Sequence, residues 1–156
     1  MVRYSVPNGY GADMAGSHRA SSWGTTHVPT ILRSLEPRLH PGEFVFVSVQ
    51  SDRAAQLNAM ATIVELEGTT VVLRRRDADA EFLPYDFVAR WITLTAHSSL
   101  ETVGLTATIS VALADAGVSS NVLAGFHHDH LLVPGHQAEL AMTVLRELAR
   151  NGDSEA

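Results

Sequence analysis

The sequence predicts an α+β fold in which helices pack on one face of an antiparallel sheet. Three observations predict it. β-Branched and aromatic runs of strand length alternate with amphipathic helical stretches. The second half reads strand, helix, strand, strand, helix, which is the ferredoxin-like βαββαβ plan short of one strand. Of the 156 residues, 46% are apolar, enough for a packed core and outside the disordered class.

Taken in order, residues 1–27 are rich in Gly, Ser, Thr and Asn without a hydrophobic period, and they read as a flexible arm. "VPTILRSLEP" carries Ile31, Leu32 and Leu35 at helical spacing, with Thr30 able to cap and Pro37 ending the turn. "EFVFVSV" is a strand, and Asp52–Ala61 is a short helix candidate. Two further strands, Thr62–Leu66 and Thr70–Arg74, are joined by a tight turn at Glu67-Gly68. A long strand is expected from Phe87 to Thr95.

The next helix is predicted to begin at a capping box of Ser98 and Glu101. Its apolar stripe is Leu105, Ile109, Ala112, Leu113 and Ala116, and Gly117 is its left-handed cap. "VSSNVLAG" and "HLLVP" are strands, and Pro134-Gly135 opens a last helix with Leu140, Ala141, Val144, Leu145 and Leu148 on one side. The expected organisation is an arm (1–27), an N-terminal half (28–84), a C-terminal domain (85–150) and a disordered tail (151–156). The first half looks like a shortened copy of the second. "EFVFVSV" or a neighbouring strand should complete the C-terminal sheet.

Charge and composition exclude several function classes. A net charge of −6 argues against nucleic acid as a main partner, which needs a basic face. Arg74-Arg75-Arg76 is the one basic cluster, and Asp77, Asp79 and Glu81 follow it at once, so it reads as a solvated strand end more than an anion contact. With no cysteine there are no disulfides, zinc-thiolate sites or thiol chemistry. No run of about 18 apolar residues predicts a membrane span. The opening residues lack a basic segment followed by an apolar one, so no secretory signal is expected and the reading is cytoplasmic.

The stretch "RWITLTAHSSLETVGLTATISVALADAGVSSNVLAGFHHDHLLVP" resembles ACT domains, small-molecule regulatory modules of aspartate kinases and other amino-acid enzymes. It is most similar to stand-alone bacterial proteins with two ACT-like halves and no catalytic domain. The motifs that carry the likeness are "HSSLE-VGLTA" and "NV-AG---HDH--VP". "LRSLEPRLHPGEFVFVSV" and "LEGTTVVLRR" look like the first half of that family. The resemblance covers about Leu32 to Leu148.

It implies a ligand, an amino acid by preference, held where the first strand of the C-terminal domain turns into its first helix. Carried over residue by residue, that site holds His97, Ser98, Ser99, Val103, Gly104 and Leu105, with Asn121 and Val122 from the facing strand. The residue types suit the task. Helix N-terminal amides favour a carboxylate, and Gly104 lets backbone approach a ligand. Asn121 both donates and accepts, and Asp129 or a strand carbonyl suits an ammonium. Each has a plainer role too: Gly104 in close helix packing, Asn121 in a turn, Glu101 in a cap.

The cluster His127, His128, Asp129 and His130 leaves three readings open. In an unbroken strand His128 and His130 would share one face and His127 and Asp129 the other. His128, Asp129 and His130 then form a hairpin tip, the wall of the ligand site, or, with His97, a metal-dependent or acid–base centre. His127 stands where the resembled family has an aromatic. No nucleophile elbow, phosphate loop or HExxH supports an enzyme. The expectation is therefore a small-molecule-binding homodimer with no resident cofactor, metal or catalytic residue.

Overall fold

The computed structural model describes residues 27–96 and 102–151. The expected arm (up to residue 26), the Ser98–Glu101 capping box and most of the tail lie outside the described residues.

The helix α1 (Val28–Arg33) leads into a strand β1 (Glu36–Leu39), then β2 (Phe44–Val49) and a single-turn helix α2 (Ser51–Ala54). The hairpin β3 (Ala59–Val64) and β4 (Thr69–Arg74) follows, then α3 (Arg75–Ala80). The second half is β5 (Val88–Thr95), α4 (Leu105–Asp115), the hairpin β6 (Asn121–Ala124) and β7 (Asp129–Pro134), and α5 (Ala138–Asn151) after a short 3-10 turn. One antiparallel sheet in the order β3-β4-β2-β5-β7-β6 joins both halves, and β1 pairs with β5 as well.

That order contains an internal repeat, which strand register makes residue by residue. Both hairpins close on four-residue tips with the same bond, Glu65 N–H to the Gly68 carbonyl and Gly125 N–H to the His128 carbonyl. Thr69 therefore corresponds to Asp129. Across the sheet Val49 pairs with Thr69 as Leu94 pairs with Asp129. β2 and β4 of the first unit thus match β5 and β7 of the second, and α2 and α3 match α4 and α5. Each unit is strand, helix, strand, strand, helix.

The fourth strand of each unit comes from the other half. The first two residues of β5 pair with β2, at Phe44↔Ala89 and Val45↔Val88. β1 lies along the remainder of the same edge, from Leu39↔Ile92 to Glu36↔Thr95. The expected insertion of "EFVFVSV" beside the C-terminal sheet is thus found at its first residues, with β1 completing the edge. Pro37 does not end a turn; it lies within β1. Because the His40 N–H bonds the Trp91 carbonyl, alternate residues Leu39 and Pro37 turn their backbone outwards, where a missing donor costs nothing.

Helices cover one face. Ile92, Leu94, Leu131 and Val133 pack there against Ile31 and Leu32 of α1, Ile109 and Leu113 of α4, and Ala141, Met142 and Leu145 of α5. Val45, Val47, Val71 and Leu73 pack on Ala54 and Ala78 in the first unit. On the other face Phe44, Val72, Ala89, Trp91 and Leu132 pack on one another. α4 ends as its sequence predicts. Gly117, at φ +72°, gives its N–H to the Ala114 carbonyl, Val118 bonds Leu113, and Val118 and Leu113 meet in the core.

Several local expectations are corrected. The helix expected over Asp52–Ala61 stops at Ala54, because Ala59, Ala61 and Thr62 are taken into the ladder with β4. The arginine cluster begins at a strand end, as expected, and continues into a helix: Arg74 closes β4 and Arg75 starts α3, whose first turn also contains Asp77. α4 begins at Leu105, after Gly104 in the left-handed region at φ +96°, so residues 102–104 are not helical. Leu140 is on the outer side of α5, 45% exposed, while Met142 takes the core position.

Candidate functional site

β5 ends at Thr95 and the chain re-enters regular structure at Leu105. The β6–β7 tip, Gly125–His128, stands at the same end of the sheet, because Asp129 pairs with Leu94 one residue before the end of β5. The end of β5 and the histidine-rich tip are thereby neighbours. His97, Ser98 and Ser99 lie outside the described residues.

The other expected site residues divide into two groups. Val103 and Gly104 are exposed at the start of α4, with Val103 87% exposed. A Cβ at Gly104 would meet only Val28, at 4.0 Å, so the glycine is required by its positive φ, not by a close neighbour. Leu105 is buried in the core and Val122 packs against it. Asn121 pairs with Leu132, three residues along the ladder from Asp129, and its side-chain amide reaches the Leu132 carbonyl at a long 3.5 Å. Asp129 and His130 stand at the end of the sheet where β5 ends, and Asn121 stands at the other end of β6.

The turn breaks the alternation expected of the cluster. β7 begins at Asp129, so His127 and His128 belong to the tip. His127 is exposed and lies edge-on to Phe126 at 4.9 Å. Asp129 is oriented to the helix-covered face with Leu131, and His130 to the opposite face with Leu132. Among the described residues the Asp129 carboxylate makes no side-chain hydrogen bond or ion pair. Partial burial raises its pKa, and the neighbouring His128 draws it back.

His130 belongs to a group that the sequence reading did not assemble. The Thr93 hydroxyl lies 2.7 Å from Nε2 of His40 and 3.0 Å from Nδ1 of His130. Trp91 backs both imidazoles, at 5.1 Å from His130 and 6.5 Å from His40 between ring centroids. Burial holds both histidines below the ordinary imidazole range; Arg38 and Arg74 add to this at His40, and His40 and His128 at His130. The signal that would have found this group is the register of Arg38 with Thr93 and of Thr93 with His130. It depends on the position of β1, which the sequence does not mark as a strand.

Among the described residues no three His, Asp or Glu side chains stand close enough to share a metal ion. Nor is any helix long and apolar enough to cross a membrane.

Two ACT-domain family profiles match the chain, one over residues 23–90 and the other over 87–147. The chain is a tandem ACT-domain protein. The two matches overlap at residues 87–90, where β5 serves both ACT units. A solved Vibrio cholerae structure, described as a protein of unknown function and possible transport protein, shares 39% identity at a TM-score of 0.71, covering 78% of this chain and 94% of that one. The regulatory subunit of Thermus thermophilus aspartate kinase, in its ligand-free form, shares the fold at 9% identity and a TM-score of 0.55, over 72% of this chain and 95% of that one. Clostridium acetobutylicum aspartate kinase does so at 8% and 0.56, over 75% of this chain but only 34% of that one. No curated relative matches the chain.

Proposed function

We propose that this tandem ACT protein is a regulatory module that binds an amino acid at the β5–α4 end of its second unit and acts as a homodimer. The observation that carries the reading is Asp129. A half-buried carboxylate that makes no side-chain hydrogen bond or ion pair among the described residues, with His128 offsetting its burial only in part, is held at a cost, and a ligand ammonium would offset it. The start of α4 supplies the complementary group. Gly104 offers no capping side chain, and among the described residues no side chain caps the first amides of this eleven-residue helix, which suits an α-carboxylate.

The repeat supports placing the site in the second unit alone. Where the first unit has Val45, Thr69 and Thr70, the second has Arg90, Asp129 and His130. The first unit passes from β2 to α2 through Gln50 alone, whereas the second has residues 96–104 between β5 and α4. The aspartate kinase regulatory subunits of the same fold are what suggest regulation as the role. A dimer contact through a sheet edge or the outer helix faces, and a cytoplasmic location, complete the proposal.

The test is a thermal-shift screen against the twenty amino acids, with and without chelator. One amino acid, or a few related ones, should raise the midpoint whether or not chelator is present. At about a hundred times its dissociation constant a ligand stabilises by about 2.7 kcal/mol, which moves a domain of this size by several degrees. A flat screen would overturn the amino-acid reading. Light scattering of the free protein would read the dimer directly.

A further inference from the structure

Thr93 is 7% exposed, and its hydroxyl has a single proton to share between two imidazoles. In the neutral state one ring donates N–H to Thr93 Oγ1 and the hydroxyl donates to the bare nitrogen of the other. Both polar contacts are then satisfied. Protonating the accepting ring removes its lone pair, and both rings then present N–H to one oxygen whose own proton must turn away.

The surroundings do not compensate a second positive charge. On β1, Arg38 shares the sheet face of His40, with Glu36 as the acid of that face. From β4 the Arg74 guanidinium packs over Phe44 at 5.3 Å and donates to the Pro41 carbonyl at 3.1 Å. From β5, Arg90 donates to the His40 carbonyl at 3.3 Å and Trp91 presents its ring. From the β6–β7 hairpin come His128, the apolar Leu123 opposite His130, and Asp129, which faces the other side of the sheet. Among the described residues no carboxylate touches either ring.

The relay sits at a mechanically special place. β1 belongs to the second unit's edge and β2 to the first unit's sheet, and His40–Glu43 is the stretch between them. The pairing shifts by two residues across it, from Leu39↔Ile92 to Phe44↔Ala89, so the chain bulges at Pro41-Gly42. Gly42 holds φ +89°, and a Cβ there would come within 3.1 Å of Arg74 Nη1. Arg74 therefore clamps the bulge from the first unit, while His40, through Thr93 and His130, clamps it from the second.

We propose that His40, Thr93 and His130 form a proton-operated latch, which holds β1 and the following bulge on the second unit and lets go in acid. This does not depend on the ligand site. The sign follows from burial. Folding lowers both imidazole pKa values from 6.5, so the contribution of the neutral pair is intact above that value and is lost as pH falls below it.

Hydrogen exchange of the full chain tests it, with rates corrected for intrinsic pH dependence, at about pH 7.5 and about pH 5.5, on either side of the ordinary imidazole range. Residues 36–42 should lose protection several-fold in acid while residues 69–74 of β4 keep theirs. Thr93→Ser, which keeps the hydroxyl, should behave as wild type, and Thr93→Val should show the loosened segment already at the higher pH. A His40→Gln, His130→Gln double variant should give the same protection at both pH values. Equal wild-type protection of 36–42 at both pH values would overturn the latch. So would acid loosening that persists in the double variant, loss of β1 and β4 together, or full protection in Thr93→Val at the higher pH.

Discussion

Asp129→Asn separates stability from binding and so tests the proposed ligand site most sharply. Burial raises the folded-state pKa of Asp129, so its favourable contribution is fully present below the ordinary carboxyl value of 3.8 and is lost as pH rises through the folded value. At neutral pH the ionised group is a net cost. Solvent still reaches the side chain and screens that cost. Removing the charge should therefore raise the melting midpoint at pH 7. The advantage should vanish as the buffer approaches pH 4. Ligand response should move the other way. Losing a hydrogen bond to a charged ammonium costs about 1.5–3 kcal/mol, or about 10- to 150-fold in affinity. Calorimetry on wild type and variant with the amino acid that scores in the thermal screen reads this directly. A variant that melts lower at pH 7 and binds as wild type would show that Asp129 is a structural residue of the hairpin and no ligand group.

Two further substitutions probe the same end of the sheet. Gly125→Ala would place a Cβ 2.6 Å from the His128 carbonyl and 3.3 Å from His130 Nε2, so the tip must open; a loss of about 1–3 kcal/mol in urea unfolding is expected, and an unchanged midpoint would contradict the tip geometry. Gly104→Ala meets nothing closer than Val28 at 4.0 Å but leaves a side chain at φ +96°, so the expected loss is about 1–2 kcal/mol of strain without a clash. If a ligand carboxylate docks on the amides that follow, calorimetry of Gly104→Ala should show weaker binding than the stability loss alone explains.

The fold was largely legible because its determinants are local. Val45 and Val47 alternate with Phe44 and Phe46 across the sheet, Leu105, Ile109 and Leu113 recur at helical steps, and Gly117 stands where a left-handed cap is needed. What was missed depends on partners distant in sequence. β1 contains a proline and only four residues, and β5 alone makes it a strand. Helical propensity over Asp52–Ala61 lost to the ladder with β4, an outcome that single-residue preferences do not register. The site was half legible for the same reason. The motif brings Asp129 and His130 into view, but alternation puts His128 on the face of His130 only in an unbroken strand, and the hairpin tip absorbs His128. His40 and Thr93 carry no motif at all; 53 residues separate them and only strand pairing brings them together.

The repeat explains why one sheet can carry a framework and a site side by side. Equivalent strand positions in the two units share their core logic: Val71 and Val72 on β4 answer to Leu131 and Leu132 on β7, and all four are buried. Departures from that logic are informative because the first unit shows that the fold does not need them. A valine fills the place of Arg90, a serine that of Thr93, and threonines those of Asp129 and His130. The four exceptions occupy neighbouring strands β5 and β7 and divide between the two faces: Arg90 and Asp129 towards the helices, Thr93 and His130 away from them. The two proposed uses of the second unit divide the same way, a charged end for a zwitterion on one face and a proton-sensitive contact with β1 on the other. Exchanging Asp129 should then leave the acid response of β1 intact, and exchanging Thr93 should leave amino-acid affinity intact at neutral pH.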